Sequence, residues 1–523
     1  MRPRPLLTTL SVLLACGDSA TGTTADSGTT AAAPSTTDTP TTGTPPASTT
    51  AATDDGGQTD AMTDATATTT GASTTALTAT TTDATTTAGT TSTTGETGET
   101  GETTAGTTTA DTTTGDPPAS CQDVDFPVTA PLCGDDGPPC ALLRDEFVSP
   151  DAKFRNDMPA IALRGDCGPS VLYSVAVGDY FGFYSERTGP DTWTTESTPF
   201  KIATGSLESV PATHELLAAV DDGAYGVTVW RRTDTMWTQE SALVGMNHTR
   251  APQLARDQQG NLHLGHINEP GFMRHDVYDG AWTPQMLLPQ TEIHVRITLD
   301  TKDAAHLIGW SSEAMTWQLK YLVPPAPAEL ITPLGSNVLD HHHTAIALAG
   351  PDETPWVLLA RKQPDQLHHD IYLAHRTGPN TWPLELLFAE DPGADDECDA
   401  PPNQMGQICN YDYRRAYTTA LVASADEVRA LYMILHYKGT LTAQCQQFPE
   451  PFCSWTPGTD ESTGELRVAW PGAAPADHQV LLTDIFTDRA TARLDTLGRI
   501  HLAFYDYPPQ GGDPTVRYAA VGP

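Results

Sequence analysis

Basic residues are scarce in this chain. Among 523 residues, 28 Lys+Arg stand against 66 Asp+Glu, a formal net charge of −38. Phosphate backbones are held by clustered Lys and Arg, and no such cluster is present, which excludes nucleic acid as a partner. No apolar run approaches the roughly 18 residues that a membrane-spanning helix needs, which excludes a polytopic helical membrane protein. No Cys-x₂-Cys pair exists to seed a zinc–thiolate centre. Neither a Gly-rich phosphate loop nor a Gly-x-Ser-x-Gly nucleophile elbow is found. Helical periodicity is missing almost throughout. From Gly17 to Ala119 there is no Lys or Arg and almost nothing apolar. That stretch has too little apolar surface to offset the entropy of ordering it.

The N-terminus carries a targeting pattern. Arg2 and Arg4 precede a short apolar stretch, Leu6 to Leu14, followed by Leu13-Leu14-Ala15-Cys16. The apolar core is too short for a mature spanning helix and suits a signal peptide. The last four residues resemble a bacterial lipobox. This implies loss of residues 1–15 and lipidation of Cys16, with acyl chains anchoring the chain in a membrane. Gly17 after the cysteine, again by resemblance, favours export to the outer membrane. Residues 16–119 then read as a disordered Thr/Ala/Gly-rich linker, extended by its Pro content and mutually repelling acids.

Residues 120–523 hold the material for a fold, and this part is itself acidic. Its eight cysteines are Cys121, Cys133, Cys140, Cys167, Cys398, Cys409, Cys445 and Cys453. An even set in an exported chain reads as four disulfides, and spacing does not settle their connectivity. Short loops favour Cys398–Cys409 and Cys445–Cys453 as local staples, with the first four pairing among themselves.

Internal repeats set the fold class. Asp257-Gln-Gln-Gly260-Asn-Leu-His263-Leu264, Asp300-Thr-Lys-Asp303-Ala-Ala-His306-Leu307 and Asp495-Thr-Leu-Gly498-Arg-Ile-His501-Leu502 share one spacing. Each reads as a turn between two short strands. A second motif is Arg187-Thr-Gly-Pro-Asp-Thr-Trp193, matched by Arg376-Thr-Gly-Pro-Asn-Thr-Trp382 and, more loosely, by Arg232 to Trp237 and Tyr278 to Trp282. It reads as a hairpin whose Trp opens the next strand with a large packing face. The motifs predict seven units, beginning near Met158, His214, Arg250, Val295, Thr344, Ala416 and Ala490. Periods of about 40–50 residues with about four strands each predict an all-β, seven-bladed β-propeller, with six blades as the alternative. Cys-bearing insertions fall near 391–413 and 441–463. The last unit lacks a fourth strand, and Cys140–Val148 is placed to supply it, removing an open sheet edge.

The Gly-Pro-Asp-Thr-Trp hairpins resemble the Asp-box (BNR) repeats of sialidase-like propellers, which read Ser-x-Asp-x-Gly-x-x-Trp. Here Thr stands for Ser, and the Asp and Gly positions are shifted. The whole chain is similar to bacterial surface lipoproteins with a Thr-rich linker before a propeller. The resemblance implies fold and location. Propellers host many unrelated functions, so the chemistry has to come from a site.

Four groups of residues are candidates for that site. His214, His248, His294, His342 and His343 precede the expected first strands of units two to five, where imidazoles from several blades could meet on a transition metal. Against this, their offsets from the following turns vary. His263, His306 and His501 hold a fixed place in the repeat, which argues for structural hydrogen bonds. Arg155, Arg250, Arg296, Arg415 and Arg489 lie near first-strand starts. The sialidase resemblance implies three convergent arginines for a carboxylate, and Tyr411 or Tyr413 would be the nucleophile. Asp391, Asp395, Asp396, Glu397 and Asp399 crowd one loop with hard oxygen ligands suited to Ca²⁺, or to plain solvation. Asn247-His248-Thr249 fits a glycosylation acceptor.

Together these features lead to a lipid-anchored, extracytoplasmic, monomeric propeller on a bacterial outer membrane or cell surface, binding an extracellular protein or glycan. The alternative is a metal-dependent or sialidase-like enzyme working in the central channel. The anchor has a direct test: Cys16→Ser is expected to abolish incorporation of labelled palmitate and to move the chain from the membrane to the soluble fraction.

Overall fold

The computed structural model describes residues 131–523 except 136–137, 150–157, 166–167, 178, 211–212, 222–225, 245–249, 269–270, 289–290, 314–315, 336–343, 364–368, 391–397, 399–401, 447–451, 488 and 508–512. Cys16, the linker, Arg155, Cys121 and Cys167 therefore lie outside the described residues, as do the acidic-loop residues Asp391, Asp395, Asp396, Glu397 and Asp399.

The described chain is all-β, consistent with a β-propeller. It forms seven antiparallel sheets, numbered I to VII here in chain order. Their first strands are Ala160–Leu163, Thr204–Ser209, Arg250–Arg256, Thr291–Leu299, Ala345–Ala349, Ile408–Ala423 and Ala490–Leu494. Six sheets have four strands and sheet VI has five. The last strand of sheet VII is Ala141–Ser149, from the other end of the folded chain, paired antiparallel to Thr515–Gly522. The missing fourth strand is supplied from where the sequence placed it.

Each first strand touches the first strand of the following sheet, and that of sheet VII touches that of sheet I. The apolar cores follow the same order. Leu172, Tyr184 and Phe200 of sheet I pack on Leu207, Leu216 and Ala218 of sheet II. Ala503, Tyr505 and Val516 of sheet VII pack on Ile161, Val171 and Tyr173 of sheet I. Every core lies between two sheets, so a central strand must be apolar on both faces. Leu216–Asp221 is accordingly buried at all six positions.

Unit two requires a correction. The sequence placed its start at His214, but the first strand of sheet II is Thr204–Ser209. That strand reads Thr-Gly-Ser-Leu-Glu-Ser and buries only one large apolar side chain, Leu207. The apolar run after His214 is the second strand. Sheets IV and VI likewise begin at Thr291 and Ile408, ahead of the expected Val295 and Ala416.

The repeated turns have one design. Asp257, Asp300 and Asp495 each accept backbone N–H groups inside their own turn, from Asn261, Ala304 and Arg499 respectively. The fourth turn position is left-handed in all three, at Gly260 (φ 91°), Asp303 (φ 63°) and Gly498 (φ 75°). Glycine adopts that conformation without penalty and Asp tolerates it.

The Arg…Trp hairpins fasten one sheet to the next. Arg187 in sheet I donates Nε (2.8 Å) and Nη2 (2.7 Å) to the Glu146 carboxylate on the last strand of sheet VII, and Trp193 Nε1 donates to it at 3.1 Å. Arg376 and Trp382 of sheet V hold Glu329 on the last strand of sheet IV in the same way, at 2.9, 2.7 and 3.3 Å. Arg232 of sheet II reaches Glu196 on the last strand of sheet I at 3.1 Å. Each acid lies 36 to 47 residues upstream of its arginine, about one repeat. Asp191 and Asn380, at the turn tips, take left-handed φ of 51° and 54°. Burial would raise the Glu146 carboxyl, but the Arg187 hydrogen bonds and charge outweigh it and hold the group below its usual range.

Glu146 is buried, and Gln in its place would leave Arg187 without the carboxylate that holds it, with only the more distant charge of Asp191 nearby. Glu146→Gln is expected to cost about 3 kcal/mol in urea unfolding. The depressed carboxyl contributes stability that is present above about pH 4.5 and lost as pH falls through its folded value. The variant is expected to lose that part of the acid sensitivity.

Candidate functional site

Of the expected axial histidines only the His214 side chain lies among the described residues. His214 lies exposed in a bend before the second strand of sheet II, not before a first strand. The polar strand Thr204–Ser209 takes the place the sequence had given it. His294 lies in the first strand of sheet IV, but its side chain is outside the described residues, as are His248, His342 and His343. Among the described residues no group of three His, Cys, Asp or Glu is arranged to hold a metal.

The repeat histidines are built into the sheets, as their fixed spacing suggested. His306 meets Asp300 through Nε2 (3.4 Å) and Tyr321 Oη through Nδ1 (2.6 Å). His501 meets Asp495 (3.1 Å) and Tyr518 Oη (2.8 Å). In sheet III the tyrosine is replaced by a second histidine, with His263 Nδ1 3.0 Å from His275 Nε2. These groups are buried. Burial pushes the His275 imidazole down to about 4, helped by the neighbouring His263.

The first strands border a small, partly open cavity of about 50 Å³ of mixed polarity, lined in part by Met158, Ile161, Ser206, Gln253, Arg296 and Arg493. That is room for a water or two. Four consecutive residues of one first strand, Thr204 to Leu207, reach it, together with Thr491 and Arg493 of another. Arg493 of sheet VII passes sheet I and donates Nη2 to Leu207 O (3.0 Å) and to the Glu208 carboxylate (3.2 Å) on sheet II. Burial raises the Glu208 carboxyl, against the opposing pull of Arg493 and Arg256. Of the arginines expected to converge, Arg296 lines this cavity, Arg489 precedes the first strand of sheet VII, and Arg415 lies elsewhere, on sheet VI. The Arg250 side chain is outside the described residues.

The two Cys-bearing insertions build one feature. The first strand of sheet VI, Ile408–Ala423, pairs along its length with Val428–Gln446, and Phe452–Asp460 adds a third strand to the outer part of that hairpin. The result is a three-stranded arm continuing past the sheet. Cys398–Cys409 ties its first strand to the preceding segment, and Cys445–Cys453 is a cross-strand pair. Both bridges match the expected local staples. A third, Cys133–Cys140, lies among the first four cysteines.

Alternation divides the arm into two faces. Asn410, Asp412 and Arg414 face one way, and the Asp412 carboxylate meets His436 Nε2 at 2.5 Å. Tyr411, Tyr413, Arg415 and Tyr417 face the other. Tyr413 stacks on Tyr437 with centroids 5.0 Å apart and planes at 21°. Tyr411 follows 6.2 Å from Tyr413. The Arg415 guanidinium lies 5.3 Å from the Tyr413 ring centre. Tyr437 is seated edge-on against Phe486 at 5.2 Å. Gly439, opposite Tyr411 in register, leaves the space the Tyr411 ring occupies, since a Cβ there would overlap Tyr411 Oη and the Thr459 carbonyl. The sequence offered Tyr411 and Tyr413 as nucleophiles. The structure makes them members of a stacked row.

No protein-family model matches the chain, and no curated protein matches it. Among solved structures it is similar to an alpha-L-arabinanase of Penicillium chrysogenum complexed with arabinobiose, at 9% identity over 73% of this chain and 98% of that one, with a TM-score of 0.37. An alpha-L-arabinofuranosidase of Fusarium graminearum matches at 8% identity over 73% and 97%, with a TM-score of 0.37. An ulvan lyase matches at 8% identity over 72% and 95%, with a TM-score of 0.40. At these values no residue and no activity is carried across.

The sheet III histidines give a pH prediction. His275 is neutral in the fold and protonates in the unfolded chain near the ordinary histidine value of 6.5. Stability is therefore expected to be fully present above about pH 6.5 and to fall as pH drops towards about 4, by up to about 3 kcal/mol. Chemical denaturation across that range checks it, and His275→Gln is expected to flatten that part of the slope.

Proposed function

We propose that this protein is a lipid-anchored, cell-surface propeller that binds an extracellular glycan, with the tyrosine face of the arm as the sugar platform. In this reading the seven sheets are the blades of a closed seven-bladed ring, Cys16 carries the acyl anchor, and the acidic linker holds a monomeric ring away from the membrane. The stacked row Tyr411–Tyr413–Tyr437 carries the reading. Tyr413 and Tyr437 cover one face of each other, and the half-exposed rings of Tyr411 and Tyr413 leave apolar surface and hydroxyls together, the combination that one side of a pyranose and its hydroxyl rim require. Two disulfides and the Gly439 recess fix the row beforehand, so little order has to be gained on binding.

A second reading is supported by Glu208. A carboxyl raised by burial beside an arginine has the character of a general acid, and it sits on a first strand directly after the residues that line the cavity. The chain would then be a glycan-active enzyme in its central channel.

The two readings separate on a glycan array followed by turnover assays on any glycan that binds. Binding without cleavage, weakened about tenfold or more by Tyr413→Ala and largely kept in Tyr413→Phe, is expected for the platform. Cleavage lost in Glu208→Gln and unaffected by Tyr413→Ala would overturn the platform in favour of the enzyme.

A further inference from the structure

Most described arginines have a carboxylate at ion-pair distance. Arg187 has Glu146, Arg376 has Glu329, Arg493 has Glu208 and Arg517 has Asp145. In a chain of net charge −38 an acid is seldom far away. Arg415 differs. It is half-buried on the arm, lies against the Tyr413 ring, shares a hydrogen bond with Tyr417, and is surrounded by Tyr413, Tyr417 and Tyr437. Among the described residues no carboxylate stands within ion-pair distance of it. Withdrawing a guanidinium from water without a counter-charge is unfavourable, and ring faces offset only part of that. Such a cation is already partly desolvated and keeps donors beyond its Tyr417 bond, and its planar fork matches a carboxylate in two parallel hydrogen bonds.

We propose that the tyrosine face selects glycans bearing an isolated carboxylate, as on a uronic acid residue, with Arg415 as the partner of that group. This rests on the reading of the arm as a sugar platform. The overall charge refines the class. A strongly negative protein repels dense polyanions, so heavily sulfated chains are disfavoured and a sparsely charged oligosaccharide is favoured. Tyr411 and Tyr413 would meet the sugar ring, with Tyr437 backing Tyr413 from the core side, while Arg415 engages the carboxylate at the edge.

The test uses the full chain on uronic-acid oligosaccharides, each presented beside its carboxyl-reduced neutral counterpart. At least one acid is expected to bind about tenfold or more tightly than its reduced partner. Arg415→Gln is expected to bring the acid down to the level of the neutral form and to leave the neutral form unchanged. Arg415→Lys should retain part of the preference, and it decides the matter if Arg415→Gln does not fold. Tyr413→Ala should weaken acid and neutral forms alike, which reports on the platform alone. Equal binding of acid and neutral forms by the wild type, or equal weakening of both by Arg415→Gln, overturns the proposal and leaves the platform standing. Binding of acidic peptides with no acidic glycan bound also overturns it. Binding that Tyr413→Ala does not alter overturns the platform and this proposal together.

Discussion

No sheet in this protein owns a core. Each buries its faces against the sheets before and after it, and the circuit includes the contact of sheet VII with sheet I. A sheet removed from the set would expose apolar residues on both sides, so stability is a property of the complete series and not of any repeat. The strand Ala141–Ser149 matters for the same reason. It completes sheet VII from the opposite end of the fold and links the two ends of the series.

That constraint accounts for the distribution of polar groups. Where two sheets meet near their outer strands, the contact must be fixed in register, and an apolar surface alone does not fix it. The Arg–Trp pairs closing on Glu146 and Glu329 supply directional bonds at those places. The aspartate turns act within sheets in a related way, satisfying their own backbone donors and orienting a buried histidine towards a tyrosine or a second histidine. Several first strands also carry polar groups, and the hydroxyls of Thr204, Ser206 and Thr491, with Gln253, Arg296 and Arg493, reach the small cavity beside Ile161 and Leu207.

Sheet VI departs from the pattern. Its first hairpin runs past the sheet, gains a third strand and is bridged twice, so tyrosines that would otherwise sit over a core are carried out in a row. Tyr417 and Tyr437 still pack on the core between sheets VI and VII, whereas Tyr411 and Tyr413 continue the same face beyond it. The candidate site is an extension of an inter-sheet core, which explains why aromatic rings and one desolvated guanidinium are found there together.

Much of the architecture was legible in the sequence because it repeats. The Asp…His turns and Arg…Trp hairpins have fixed spacings imposed by backbone geometry. The strand at 141–149 was implied by a last unit one strand short. The local bridges Cys398–Cys409 and Cys445–Cys453 followed from short separations. The start of sheet II was not legible, because Thr204–Ser209 has the composition of a loop and is a strand only through its pairing with Leu216–Asp221. For the same reason His214 was read at the head of a first strand when it precedes the second. The acids that the hairpin arginines hold were visible about one repeat upstream, but which acid is reached depends on how neighbouring sheets are set against each other. The two insertions looked separate in sequence and form one arm, because the pairing of Phe452–Asp460 with Val428–Gln446 is a contact between segments that periodicity does not describe. Sequence alone determined the repeating unit, since that rests on local turn chemistry and strand alternation. The tyrosine row, the placing of Arg415 among tyrosines and the raised Glu208 carboxyl were decided only by the tertiary structure, since each depends on what distant strands place beside it or leave out.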